Sequence, residues 1–198
     1  MKIILKTVSA ITLAATAVLA GLPLICERLE IGNSKSLPWK NVNAWNGADP
    51  AYSLASLTTD TLAILTPAAP LPLRMETLRR AAIYAATDAA VIESLTARLL
   101  ARVADTSLTA NPKPTQWFDA GYFVEALRQL GSVFRFYMLS PNEKSQWQIR
   151  GDAFALNGKP WIEQAIRLGG KGMEVALSKI EEYRNADLNR NRRLLSQR

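Results

Sequence analysis

The sequence predicts an all-α protein, a bundle or irregular solenoid of about six or seven helices after an N-terminal export or anchor segment. Apolar residues recur at helical spacings of three, four or seven, most clearly from Met75 to Ala104. Proline and glycine mark the connections between such stretches. Nothing in the body alternates apolar and polar residues for long enough to predict a strand.

The N-terminal segment predicts export. Thr7 to Cys26 is a run of twenty residues without charge, preceded by Lys2 and Lys6. A basic start, an apolar stretch and small residues near its end are typical of a secretory signal, and the predicted cut follows Ala20. An uncleaved anchor is the alternative, because about 20 apolar residues cross a bilayer. Both interpretations place the body on the extracytoplasmic side, since the positive excess precedes the run.

Cys26 is the only cysteine, so no disulfide forms within one chain. The sequence favours Cys26 as an apolar neighbour at the end of the export segment. Lipid attachment and an intermolecular disulfide are the alternatives. Lipid attachment is disfavoured because Leu24 and Ile25 precede the cysteine where a small residue is wanted.

The chain divides into four predicted regions: a signal peptide or membrane anchor (1–26), an irregular linker (27–49), a single helical domain (50–185) and a basic C-terminal tail (186–198). The formal charge is +7. The last fifteen residues, from Arg184, hold five arginines against one aspartate, so much of the basic character belongs to the tail.

The first half of the domain contains three predicted helices. Asp49-Pro50 begins the first, which runs to about Leu65, because Asp caps free amides and Pro suits the first helical position. Three prolines predict a stiff non-helical connector from Thr66 to Leu73. The pattern from Met75 to Ala104 is divided at Thr87-Asp88, since both residues are weak helix formers and good N-caps.

The second half continues with further helices after a loop at Asp105 to Thr115. A helix from about Gln116 places apolar residues on one face: Phe118, Tyr122, Ala126, Leu130, Val133 and Tyr137. Ser140-Pro141 predicts another helix start, Lys159-Pro160 a further one that ends at Gly169-Gly170, and the last helix presents Met173, Ala176, Leu177, Ile180 and Tyr183. The segments Phe123–Leu127 and Trp161–Ile166 share a weak pattern that suggests degenerate repeats, although any amphipathic helix produces it.

The chemistry available to the chain is narrow. The absence of histidine excludes Ser-His-Asp and Cys-His catalysis and, with one cysteine, zinc sites built from His and Cys. Gly169 to Gly172 resembles a phosphate loop only superficially, because Met173 follows where Ser or Thr is needed and a helix precedes it. We therefore predict no catalytic residue, no cofactor and no metal site.

Carboxylate pairs leave a hydrolase as the alternative function. The candidate pairs are Asp119 with Glu125, Asp152 with Glu163, and Glu181 with Glu182. A structural role is favoured, because Asp119 lies in the first turn of its helix, and Glu125 and Glu163 precede Arg128 and Arg167 by one turn.

The predicted interaction residues are Trp39, Trp45, Arg190, Arg192 and Arg193. The tryptophans, in a polar loop, either seal the base of the core or form a docking platform. The arginines favour an anionic membrane surface, whereas nucleic acid is not expected without interleaved aromatics. The sequence thus predicts an envelope interaction or scaffold module whose partner is another protein, and an enzyme is the less favoured alternative.

Overall fold

The computed structural model describes residues 24–41, 44–107, 112–136 and 156–196. These residues form six α-helices and, apart from one isolated bridge between Trp39 and Ala48, no β-structure. The all-α prediction is confirmed for this part of the chain. The export segment and the helix predicted to begin at Pro141 lie outside the described residues.

The helices, in chain order, are α1 (Leu57–Ile64), α2 (Leu71–Ala85), α3 (Ala89–Ser107), α4 (Pro114–Phe136), α5 (Lys159–Arg167) and α6 (Met173–Ser196). Two short 3-10 helices, Leu24–Cys26 and Leu54–Ser56, precede α1. In the described parts of the chain, no helix is both long enough and apolar enough to span a membrane.

The core is built around α2 and α4. Helix α4 contacts α2, α3, α5, α6 and the turn Leu24–Cys26, while α2 packs between α1, α3 and α4. The predicted apolar face of α4 is confirmed over its described side chains, since Phe118, Tyr122, Ala126 and Leu130 are buried. Most side chains of α2 are also buried, including charged ones, so this helix is enclosed rather than exposed along one face.

The break between α2 and α3 is confirmed. Asp88 caps α3, because its Oδ1 accepts from the backbone amides of Ala90 at 2.9 Å and Val91 at 3.3 Å. The predicted end of α5 is confirmed as well. Gly169 has φ +86°, and the amide of Gly170 donates to the carbonyl of Ala165, which is the pattern of a glycine-terminated helix. Gly169 to Gly172 is a turn between two helices, as predicted.

Three predicted boundaries are wrong. Asp49 forms a turn instead of a helix start, since its side chain accepts from the amide of Ala51, and α1 begins only at Leu57. Helix α2 begins at Leu71, and Pro72 is its second residue. A proline is tolerated there, because the backbone amides of the first helical turn have no acceptor within the helix. Helix α3 continues to Ser107, beyond the predicted loop start at Asp105.

The described residues of the segment 24–49, namely 24–41 and 44–49, lie against the helices. Its irregular backbone carries Leu24, Ile25 and Leu37, which are buried in the same core as the helical side chains. At the other end of the chain, the predicted tail continues α6 as helix to Ser196.

Candidate functional site

An ion cluster on α2 lies at the junction with the segment 24–49. Arg79 donates to both oxygens of Glu76 at 2.8 Å, and Arg80 Nε donates to Glu76 Oε1 at 2.7 Å. The amide of Leu29 adds a fourth donor at 3.2 Å. Burial raises the pKa of Glu76, but these donors outweigh it, so the pKa lies below its ordinary value and the carboxylate is ionised.

The two arginines hold the irregular segment by its backbone. Arg79 Nη1 donates to the carbonyls of Ile25 and Trp45, each at 2.9 Å. Arg80 Nη1 donates to the carbonyl of Leu37 at 2.6 Å. Buried carbonyl groups need such partners where no regular structure supplies them, so α2 provides the hydrogen bonds that the segment cannot make internally.

Trp39 packs beside this cluster. The Cζ atoms of Arg79 and Arg80 lie 5.0 and 5.2 Å from its ring centroid, and the ring meets Tyr84 edge-on. Tyr84 in turn donates to the carbonyl of Pro38 at 2.6 Å. These contacts favour the interpretation in which the tryptophans seal the base of the core.

A groove, here called the loop groove, opens next to this cluster with a volume of about 430 Å³. Its charged lining consists of three cations and a single carboxylate: Arg28, Lys35, Arg80 and Glu30. The remaining lining is mostly apolar or backbone from the same loop: Leu29, Ile31, Gly32, Ser34, Ser36, Leu37, Pro38 and Trp39. The loop groove is therefore basic.

A second groove, here called the helix groove, runs between α1 and α3 with a volume of about 580 Å³. Small, hydroxyl and aliphatic side chains line it, with one cation and no carboxylate: Leu54, Ala55, Thr58, Thr59, Leu62, Ala90, Val91, Ser94 and Arg98. This lining offers surface for packing and holds no acid or base for catalysis.

Asp119 belongs to a buried ion pair on the opposite side of α2. Arg74 Nη1 lies 2.7 Å from Asp119 Oδ2, and both side chains are 1% exposed. Arg74 also donates to the carbonyls of Thr66 and Ala69, which fixes the connector before α2. Burial raises the pKa of Asp119 to about 6, although the positive charges of Arg74 and Arg102 act to lower it.

Glu125 has partners different from those of Asp119. It accepts from the amide of Gly158 at 2.8 Å and from Arg184 Nη2 at 2.7 Å. The predicted contact with Arg128 is present but long, at 4.0 Å. Each member of the pair Asp119 and Glu125 therefore has its own arginine.

The other two predicted carboxylate pairs have different surroundings. Glu163 pairs with Lys159, not with Arg167 as predicted, because Lys159 lies one turn before it and Arg167 donates to Gln164. Glu181 also lies 3.1 Å from Lys159, while Glu182 is exposed to solvent. Asp152 lies outside the described residues.

The predicted interaction residues lie in two separate places. Trp39 and Trp45 are half-buried in the segment on α2. Arg190, Arg192 and Arg193 lie on the C-terminal half of α6, and for these three residues the structure describes only the backbone. The sequence analysis missed Glu76, Arg79 and Arg80, because charged residues on a helix usually face solvent. The spacing Glu-x-x-Arg-Arg, which allows contacts three and four residues apart, is the signal that was present.

Comparison with known proteins identified no relative of this chain. No protein-family model matches the chain, and neither a curated protein nor a solved structure is significantly similar to it.

Proposed function

We propose that the protein is an exported or membrane-tethered helical module of the cell envelope, which acts as an interaction or scaffold protein and binds another protein. The helix groove is the observation that carries this proposal. It is open, it is formed by two helices, and its lining combines aliphatic and small side chains with hydroxyl groups. Such a groove suits a helix or extended segment of a partner.

The alternative, a small hydrolase with an Asp/Glu pair, has weaker support. A general acid must reach the substrate. Asp119 has the raised pKa that the alternative needs, but its side chain is 1% exposed and paired with Arg74. Glu125 is held by Arg184 and the amide of Gly158. Both carboxylates have the surroundings of structural groups.

Export remains a proposal from the sequence, and the packing of Leu24 and Ile25 is compatible with it. A cut after Ala20 leaves both core residues in the mature chain. Lipid attachment at Cys26 would require removal of both, so this packing disfavours it. In an uncleaved anchor, the uncharged residues before Leu24 number seventeen, Thr7 to Pro23, which is near the lower limit of about 17 for a spanning helix.

The C-terminal half of α6 is the proposed contact with an anionic membrane surface. From Asn185 onward the sequence holds four arginines and one aspartate, a net charge of 4 − 1 = +3, which favours anionic headgroups at low salt. Arg184 is not counted, because it pairs with Glu125. A high-salt wash releases a protein attached only in this way and leaves a spanning segment in place. The helical-repeat hypothesis stays a prediction.

Site-specific cross-linking in cells tests the binding proposal. A photoreactive amino acid in place of Ser94, an exposed position in the helix groove, is expected to give a discrete adduct with one partner protein. Ala90→Arg fills the groove and should abolish that adduct. Ala97→Arg makes the same change at an exposed position of α3 outside the groove and should leave it intact. Absence of any adduct, or equal loss in both variants, would contradict the proposal.

A further inference from the structure

We propose that the loop groove binds an oxyanion, a phosphate or carboxylate group, with Arg80 at its base and Lys35 at its rim. The inference rests on the charge balance and geometry of residues 28–39 and α2. It requires neither export nor occupation of the helix groove.

The ion cluster under the groove has more positive than negative charge. Glu76 carries one negative charge, whereas Arg79 and Arg80 carry two positive charges. The side chains of Glu76 and Arg79 are completely buried, and that of Arg80 is 11% exposed. A buried charge is costly unless it is paired. Since Arg79 already bonds to both oxygens of Glu76, Arg80 is the surplus cation.

The neighbouring carboxylates already form ion pairs with other cations. Glu30 pairs with Arg28, Asp49 with Lys40 at 3.1 Å, and Glu27 with Lys179. Within the described ranges, Lys35 forms no ion pair. The groove therefore has one cation, Lys35, without a carboxylate partner among the described residues, and a second, Arg80, that shares the single charge of Glu76 with Arg79.

The position of Arg80 is fixed before any ligand arrives. Its Nε bonds to Glu76, its Nη1 to the carbonyl of Leu37, and its guanidinium packs against the ring of Trp39. Among the described residues, Nη2 has no acceptor. A guanidinium held in this way loses little entropy on binding, and its N–H groups suit the oxygens of a phosphate or carboxylate.

The volume and lining of the groove suit a small ligand. Its volume of about 430 Å³ falls within the usual range for ligand sites, roughly 300 to 1,000 Å³. Leu29, Ile31 and Leu37 line it beside the cations. We therefore expect the natural ligand to carry an apolar portion next to its charged group.

Titration of the purified full-length chain, followed by ¹H–¹⁵N NMR, tests the inference. Inorganic phosphate and acetate are the two probes, and chloride at equal ionic strength is the reference. We expect saturable shifts at the Arg80 Nε–H and at the amides of Lys35 and Ser36. A response to either probe supports the site, and the stronger response identifies the chemical source of the oxyanion.

Two matched charge reversals make the test specific. Lys35→Glu should weaken binding about tenfold, because it places a negative charge at the rim. Lys171→Glu, at an exposed lysine in the turn between α5 and α6, should change it less than about twofold. Arg80→Gln should abolish saturation, and if that variant fails to fold, Lys35→Glu still decides the question. Shifts that do not saturate, or that weaken equally in both Glu variants, would overturn the inference and leave the helix-groove proposal standing.

Discussion

Arg79 is a completely buried guanidinium that joins α2 to the N-terminal segment. Four hydrogen bonds from this guanidinium reach Glu76, Ile25 and Trp45, so one side chain connects three parts of the chain. The apolar pattern that begins at Met75 predicts a buried face on α2, and two of its residues, Leu78 and Ala82, are buried. It missed the arginines because their burial depends on carbonyl partners supplied by a distant loop.

Replacement of Arg79 by methionine should lower the free energy of unfolding by about 3 to 5 kcal/mol, because it removes one member of a buried ion pair together with the hydrogen bonds that this arginine donates to Glu76, Ile25 and Trp45. Urea unfolding measures this loss. Arg98→Met, at an exposed arginine of α3, serves as the control and should stay within about 0.5 kcal/mol of the wild type. A loss below 1 kcal/mol for Arg79→Met would show that the cluster is not essential to the fold.

Asp119 should make stability depend on pH in a direction unusual for an aspartate. Its pKa is raised by burial from 3.8 to about 6, so the folded state holds the proton more tightly than the unfolded state. The stabilisation from Asp119 is therefore complete below about pH 4 and is lost as the pH rises through about 6. A difference of about 2 pKa units limits the effect to about 3 kcal/mol.

Asp119→Asn removes this titration while it keeps an acceptor for Arg74. The free energy of unfolding of the wild type minus that of Asp119→Asn should fall between about pH 4 and 6 and then level off. Denaturant unfolding at a series of pH values checks this result. A difference that is constant or that increases over this interval would show that the Arg74 charge dominates over burial.

The helix boundaries show where a local sequence signal was sufficient to predict the start of a helix and where it was not. Asp88 lies between two apolar patterns, and its side chain caps α3 as predicted. Asp49 offers the same residue type before a proline, yet it forms a turn whose backbone amide donates to the hydroxyl of Tyr84. This contact joins positions thirty-five residues apart, so the local pattern did not contain the information that moves the start of α1.

The crossing of α4 and α5 depends on two glycines. A Cβ on Gly121 would lie 2.7 Å from the carbonyl oxygen of Gly158 and 2.8 Å from Ile162 Cγ1. The backbones of the two elements therefore approach more closely than any side chain permits. The sequence did not predict this crossing, because a close approach of two backbones leaves no periodic signal.

Gly121→Ala should destabilise the protein by about 1 to 3 kcal/mol. Alanine is about 1 kcal/mol more favourable than glycine in an isolated helix. The expected loss of stability is therefore a net value, in which the cost of overpacking exceeds this gain in helix propensity. Thermal or urea unfolding measures the net effect. Ala101→Ser, which adds one atom at an exposed position of α3, is the control and should change stability by less than about 0.5 kcal/mol. An increase in stability for Gly121→Ala would contradict the tight crossing.

At the scale of the molecule, helix type and order followed from sequence, but the placement of the segment 24–49 did not. The composition of residues 27–49, rich in Asn, Gly, Ser and Lys, predicts a linker, and residues 24–26 belong to the predicted signal peptide or anchor. The structure packs Leu24, Ile25 and Leu37 into the core and forms the loop groove from the residues between them. The partners that make this possible are Glu76, Arg79 and Arg80 on a helix that begins more than twenty residues later.

The N-terminal sequence and intact mass of the protein from its own cells, with soluble and membrane fractions kept apart, test the account most directly. We propose an extracytoplasmic helical module whose core includes Leu24 and Ile25. The account predicts a chain that begins near Gly21 outside the cytoplasm, or an intact Met1 in the membrane fraction. An intact Met1 in the cytosol would contradict export. A mature chain that begins at Cys26 or later would contradict the packing of Leu24 and Ile25.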